Sequence, residues 1–279
     1  MLRALILSPP QFQTTVPSLL FAFYFCILRF AFCGLTCTLS SLAASMQAPA
    51  ALKLPPPGDR VLAAVVQLLA IGPAGREKNQ ECSATGFFIN GDGYLITNAH
   101  VVEDAKRCLE KAPGAKILAK LAVTDSRTAQ AVPCEVEAVD VPNDLAILKT
   151  ERPLVAITGG KAPYATLDTR PVVVGTAVAV SGHPAFSWQP VTQSGHVIWL
   201  GRTLLEETDD PLPSPSDAVE IDIHLRPGNS GSPVYRTGGG VIAVIDKINP
   251  LQPAYSIALA IHYAIELAER HGIRWYPAN

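Results

Sequence analysis

The sequence predicts an all-β fold closed by one C-terminal helix, and three observations predict it. From residue 60 onward, short runs rich in β-branched and aromatic residues recur, each bounded by turn residues. The 24 Pro and 20 Gly stand against few long amphipathic periods, a composition of many strands joined by turns. The 279 residues exceed a typical domain, yet an all-β double barrel of about 200 to 250 residues counts as one structural unit.

Composition narrows the function classes. With 48% hydrophobic and 16% charged residues, the chain can bury a sizeable core, which excludes intrinsic disorder over most of its length. The formal net charge is −2, from 22 basic and 24 acidic residues. No basic run supplies the electrostatic footprint of a nucleic-acid binder, so that class of partner is excluded.

Residues 1–45 read as a targeting segment. Between Val16 and Ser45 the sequence is almost wholly apolar, broken by one charge at Arg29. Two readings fit: a signal anchor holding the chain to a membrane through residues 16–45, or a cleavable signal peptide. Cleavage is favoured, because Arg29 can serve as the charged region, Phe30 to Leu42 as the apolar region and Ala43-Ala44-Ser45 as the small-residue site. Either way the chain is exported, to a periplasm or beyond the cell. Residues 46–60 follow as a linker whose triple proline before Gly58 cannot continue a helix, and residues 61–279 form the folded domain.

Within that domain the strand candidates are VLAAVVQLLAI, ATGFFI turning through NGDG into YLIT, AKILAKLAVT, AVPCEVEAVD, DLAILKT, AVAVSG, VTQSGHVIWL, AVEIDI, SPVYR and VIAVIDKI. The last segment, SIALAIHYAIELAERHG, places apolar residues at helical spacing and stops at Gly272, which predicts the terminal helix.

Three short segments carry chemistry. In YLITNAHVVEDA a strand ends at Thr97 and a helical turn begins at Ala99-His100, putting an imidazole at a corner where a general base can sit beside a nucleophile. In VPNDLAILKT, Asp144 opens a strongly apolar strand, and its carboxylate needs a partner there because unpaired burial is costly. In RPGNSGSPVY, Gly228 and Gly231 bracket Ser230 and allow a tight loop whose backbone N–H groups converge on one small space, a nest suited to an oxyanion. Each motif alone is ordinary. Their order, His then Asp then Ser, differs from the orders of the α/β-hydrolase and subtilisin solutions to the same geometry.

TNAHVV, NDLAIL and GNSGSP together resemble the trypsin-like serine peptidases, most closely the HtrA or DegP branch, over roughly Val61 to Ile273. The resemblance implies two six-stranded antiparallel β-barrels with the C-terminal helix, and a serine endopeptidase acting on proteins or peptides. It implies that Ser230 attacks the scissile carbonyl, His100 relays the proton, Asp144 orients the histidine and the N–H groups of Gly228 and Ser230 form the oxyanion hole. It implies neither metal nor cofactor. By the same matching, His224 falls at the base of the primary specificity pocket, with Ile245, Asp246, Lys247, Ser256 and Ala258 in its walls. A protonated histidine there would accept an acidic side chain; the alternative is a hydrogen-bonded structural histidine.

The departures from the family pattern carry expectations too. Asn229 stands where many digestive relatives have the Asp that pairs with a newly cut N-terminus, so activation by such cleavage is not expected. Ser232 replaces a glycine, and if that backbone needs φ > 0 a Cβ there costs roughly 1 kcal/mol. The chain stops soon after the helix, without the PDZ domains usual in the branch. Trimer formation through N-terminal aromatics is not carried over, because residues 46–84 hold no Phe, Tyr or Trp.

Cys26, Cys33 and Cys37 fall in the targeting segment, leaving Cys82, Cys108 and Cys134. An odd count in an exported chain implies one bridge and one free thiol, or an intermolecular link. The pairing stays open, although a bridge between Cys82 and Cys108 would brace the histidine corner. Two alternatives to an enzyme also stay open: an idle double barrel that binds other proteins, and a membrane-tethered chaperone-like module.

Overall fold

The computed structural model describes residues 59–71, 83–110, 116–121, 130–159, 162–202, 217–236 and 238–278. The targeting segment, nearly all of the linker and Cys82 lie outside them. Among the described residues no helix is long and apolar enough to cross a membrane.

The run RVLAAVVQLLAI divides where its composition changes. Its leucine and alanine half forms the helical turn α1 (Asp59–Ala64), and its valine-led half forms β1 (Val65–Ile71). β1 pairs antiparallel with β2 (Ser83–Phe88), which turns into β3 (Tyr94–Thr97). β4 (Lys116–Leu121), β5 (Ala131–Asp140) and β6 (Leu145–Thr150) complete a closed six-stranded barrel of order β1-β2-β3-β6-β5-β4. Phe87, Leu95, Ile96, Leu145 and Ile147 of its strands are all fully buried. A one-turn helix α3 (Leu154–Ile157) then leads toward the second barrel.

That barrel comprises β8 (Ala177–Gly182), β9 (Val191–Arg202), β10 (Asp217–Ile221), β11 (Pro233–Arg236), β12 (Gly240–Ile248) and β13 (Ser256–Ala260). These follow the order β11-β8-β9-β10-β13-β12, and pairing of β11 with β12 closes the ring. The preceding two-residue strand β7 (Thr166–Leu167) adds parallel to β12. The expected pair of six-stranded antiparallel barrels is therefore present, as is the terminal helix α4 (Ile261–Arg270).

Two helical details differ from the sequence reading. SIALA is buried on both faces up to Leu259, and as β13 it satisfies partners on both sides, β10 and β12, so the helix starts only at Ile261. The turn at Ala99-His100 extends into a full helix, α2 (Ala99–Glu110). Its Val101, Val102 and Ala105 are buried while Asp104 and Arg107 pair across one turn at 3.1 Å.

α4 returns over the first barrel rather than capping only its own. The Arg270 guanidinium bonds the Asp140 carboxylate at 2.5 Å, and the Asn90 amide donates to the Arg274 carbonyl at 2.7 Å. Asp140 in turn accepts from Asn143 N–H at 3.3 Å, fixing the 3-10 turn Val141–Asn143 that immediately precedes Asp144.

Candidate active site

His100 lies in the first turn of α2, just beyond the end of β3, and Asp144 closes the 3-10 turn before β6. Asp144 holds φ 46° and ψ 43°, a left-handed conformation that Asp tolerates better than most residues. This twist points its carboxylate at the start of α2. Oδ1 accepts the His100 backbone N–H at 2.8 Å and Oδ2 accepts the ring Nδ1–H at 2.7 Å. The Asn98 amide donates to the Asp144 carbonyl at 3.1 Å and closes the corner. Ring and backbone of the histidine are thus held by one side chain, which fixes the proton on Nδ1 and leaves Nε2 to accept. Burial lowers the His100 pKa, but the hydrogen bond from Asp144 and the charges of Asp144, Asp246 and Asp104 outweigh it, so the net shift is upward.

Ser230 comes from the second barrel, on the loop before β11. Gly228 and Gly231 hold φ +99° and +83°, where a side chain would be strained. The Ser232 N–H donates to the Asn229 carbonyl at 2.9 Å and the Gly231 N–H to the Ile245 carbonyl at 2.9 Å. Ser232 itself does not occupy a positive-φ conformation, so the strain expected from its Cβ is absent. The Pro227 carbonyl accepts from the Ala185 N–H at 2.8 Å, which turns the Gly228 N–H of the same trans peptide to the opposite side. Neither the Gly228 nor the Ser230 N–H donates to a backbone carbonyl among the described residues. The Ser230 hydroxyl donates to the Asp246 carbonyl at 3.2 Å.

The loop is pinned to the first barrel by Thr85, a fully buried residue of β2. Its N–H donates to the Ser230 carbonyl at 3.0 Å and its hydroxyl donates to the Gly228 carbonyl at 2.8 Å. The same hydroxyl accepts from the His183 N–H at 2.9 Å. His183 is buried, its Nδ1–H donating to the Ser187 carbonyl at 2.8 Å while its Nε2 has no partner. Desolvation pushes its pKa down to about 4. Sequence reading singled out neither residue in this role: a threonine on an apolar strand carries no mark of a contact with a residue 143 positions away.

His100, Asp144 and Ser230 line one cleft of about 970 Å³, together with Leu225, Arg226, Ile245, Asp246 and Lys247. A smaller apolar hollow of about 310 Å³ adjoins it, lined by Leu68, Val101, Ile117 and Gly228 among others, with His100 and Ser230 at its edge. Of the residues matched to the specificity pocket, Ile245, Asp246 and Lys247 reach the cleft and three do not. The ring of His224 is exposed and donates to the Pro253 carbonyl at 2.6 Å, the hydrogen-bonded structural role. Ser256 is buried, its hydroxyl donating to the Ile223 carbonyl at 2.8 Å, and Ala258 packs in the second-barrel core beside Ile245. Leu225 and Arg226, one and two residues beyond His224, line the cleft instead.

Asp246 is only 6% exposed. One donor atom each of His100, Asp144 and Asp246 lies within 4.8 Å of the other two. Geometrically that trio could hold a cation, but His100 Nδ1 and both Asp144 oxygens are already committed to each other, so the cluster is a hydrogen-bonded unit. Cys134 is a free, buried thiol whose pKa desolvation pushes up to about 12.

Two barrels meeting at a cleft, with a histidine–aspartate pair on one and a glycine-bracketed serine on the other, define the trypsin-like class of fold. Residues 84–244 match the family model described as a trypsin-like peptidase domain, and the chain belongs to that family. It is 30% identical over 203 residues to a probable periplasmic serine endoprotease, DegP-like, of Halomonas elongata, covering 71% of this chain and 37% of that one. A protease of M. tuberculosis, solved in an active form, superposes with a TM-score of 0.59 at 20% identity, over 81% of this chain and 87% of that one. A serine endoprotease from Yersinia pestis gives 0.55 at 18%, over 76% and 64%. The chain spans a little over a third of the length of curated relatives that it matches.

Proposed function

We propose that this chain is a serine endopeptidase of the HtrA/DegP type that cleaves proteins or peptides through an acyl-enzyme. The observation that carries the reading is the 2.7 Å bond from His100 Nδ1 to Asp144, with Nε2 left to face the cleft that Ser230 also lines. The Ser230 hydroxyl leaves the Asp246 carbonyl and gives its proton to His100 Nε2 as the oxygen attacks the scissile carbonyl. Asp144 stabilises the imidazolium, which then protonates the leaving amine. The N–H groups of Gly228 and Ser230 receive the oxyanion, a contribution worth on the order of 10²-fold or more per donor. Leu225, Arg226, Ile245 and Lys247 receive the substrate side chain. Export to the periplasm or beyond, by way of residues 1–45, and a bridge between Cys82 and Cys108 complete the reading. The name of the Halomonas relative supports the compartment, and the free state of Cys134 leaves those two cysteines for the bridge.

A second reading, an idle double barrel that binds other proteins, draws on the engagement of the Ser230 hydroxyl with the Asp246 carbonyl. Fluorophosphonate labelling of the purified full chain separates the two. Adduct at Ser230, absent in Ser230→Ala, is the expected result; a folded protein that takes no label at any pH overturns the enzyme reading.

A further inference from the structure

Asp246 occupies an irregular position in β12. Ile245 pairs with Ala258 and Lys247 with Ile257, so Asp246 has no residue opposite it and is the extra residue of a β-bulge. A bulge re-aims a side chain and frees backbone groups from the ladder. Both effects are visible here: the freed Asp246 carbonyl accepts the Ser230 hydroxyl, and the carboxyl turns inward, one oxygen within 4.8 Å of a carboxylate oxygen of Asp144 and of a ring nitrogen of His100. One bulge therefore contacts the nucleophile with its backbone and approaches the histidine's carboxylate with its side chain.

Two buried carboxyl groups this close favour holding a proton between them, because both cannot ionise cheaply. The surroundings favour keeping it. Burial pushes the Asp246 pKa up, to about 7, and the charge of Asp144 acts in the same direction, against Lys247 and His100. The groups facing Asp246 are Lys247 of β12, whose Nζ lies 3.7 Å from Oδ2, His100 of α2 and Asp144 ahead of β6. Glu103 and Arg107 of α2 and Arg226 ahead of Ser230 share the cleft.

We propose that Asp246 is a positioning residue that works as a carboxylic acid: carrying its proton, it donates to Asp144 and so sets the pH at which His100 becomes a base. The inference rests on the peptidase reading of the same site. Protonated Asp246 leaves one negative charge beside the imidazole. Once ionised, it places a second charge there and holds the proton on His100, so the two groups titrate as a coupled unit with Asp144.

The test compares the full chain with Asp246→Asn, which keeps a donor but no ionisable group, and with Asp246→Ser should the first variant fold poorly. Two readouts are taken from pH 5 to 9: the rate of fluorophosphonate labelling and the His100 ring titration by NMR. The expected result is that both midpoints fall by about half a unit or more in Asp246→Asn, roughly threefold more neutral imidazole at a pH below the midpoint. Unchanged midpoints overturn the proposal. Were wild type not to label at all, the peptidase reading would fail while the His100 titration still decided the role of Asp246.

Discussion

The Thr85 hydroxyl on the first barrel donates to the Gly228 carbonyl on the second at 2.8 Å. This part-buried bond joins the two barrels and fixes the peptide beside Ser230. In Thr85→Val the shape is nearly kept, but the Gly228 carbonyl and the His183 N–H both lose their partner. Each buried group left unsatisfied costs about 1 to 3 kcal/mol. Urea unfolding should show a loss of about 2 to 4 kcal/mol, and Ser230 labelling should slow by about tenfold or more as the oxyanion donors drift. Normal labelling would show that the clamp is structural only.

Gly228→Ala tests the loop more directly. At φ +99° the new Cβ would stand 2.5 Å from the His183 carbonyl, backbone that cannot move aside cheaply. Labelling should fall by about 10²-fold or more while the far-ultraviolet circular dichroism stays native, because the loop lies outside both barrels' ladders.

Cysteine chemistry gives a third expectation. Cys134 sits inside β5 with a pKa near 12, so the folded chain should resist iodoacetamide at this thiol at pH 8. Denatured without reductant, residues 46–279 should show one titratable thiol if Cys82 and Cys108 are bridged, and three if they are not.

Acid should destabilise the fold through His183. Its folded pKa of about 4 lies below the usual 6.5, so between these values the unfolded chain binds a proton that the folded chain does not. Stability contributed by the neutral ring is then present above pH 6.5 and lost as pH falls toward 4. Asp246 has the opposite sign: its folded pKa of about 7 lies above 3.8, so its contribution is greatest below pH 3.8 and is lost as pH rises to 7. Urea unfolding of His183→Gln should show an acid loss between pH 6.5 and 4.5 smaller than that of wild type by on the order of 2 kcal/mol.

How far the molecule is legible in its sequence depends on distance along the chain. His100, Asp144 and Ser230 each sit in a segment whose chemistry is local: a strand-to-helix corner, an acid before an apolar strand, a glycine-bracketed loop. Their order indicated the double barrel before any coordinates. The family resemblance places Asp246 in a pocket wall and it does reach the cleft, but its bulge is a property of two paired strands that no motif displays. His224 belongs to an irregular segment between β10 and Ser230, where matching by motif does not fix which side chains face the cleft. Ser232 was judged from the glycine it replaces, whereas the backbone there requires no positive φ. Thr85 joins β2 to a loop far along the chain, and nothing in ATGFF announces the partner.

The path from Arg270 through Asp140 to the turn before Asp144 also bears on the order in which the site is assembled. Domains are made from the N-terminus onward at about 5 to 20 residues per second, so His100 and Asp144 leave the ribosome well before α4. Until that helix arrives, the segment presenting the Asp144 carboxylate lacks its guanidinium tether. A chain arrested short of Arg270 would hold His100, Asp144 and Ser230 with the corner unsecured.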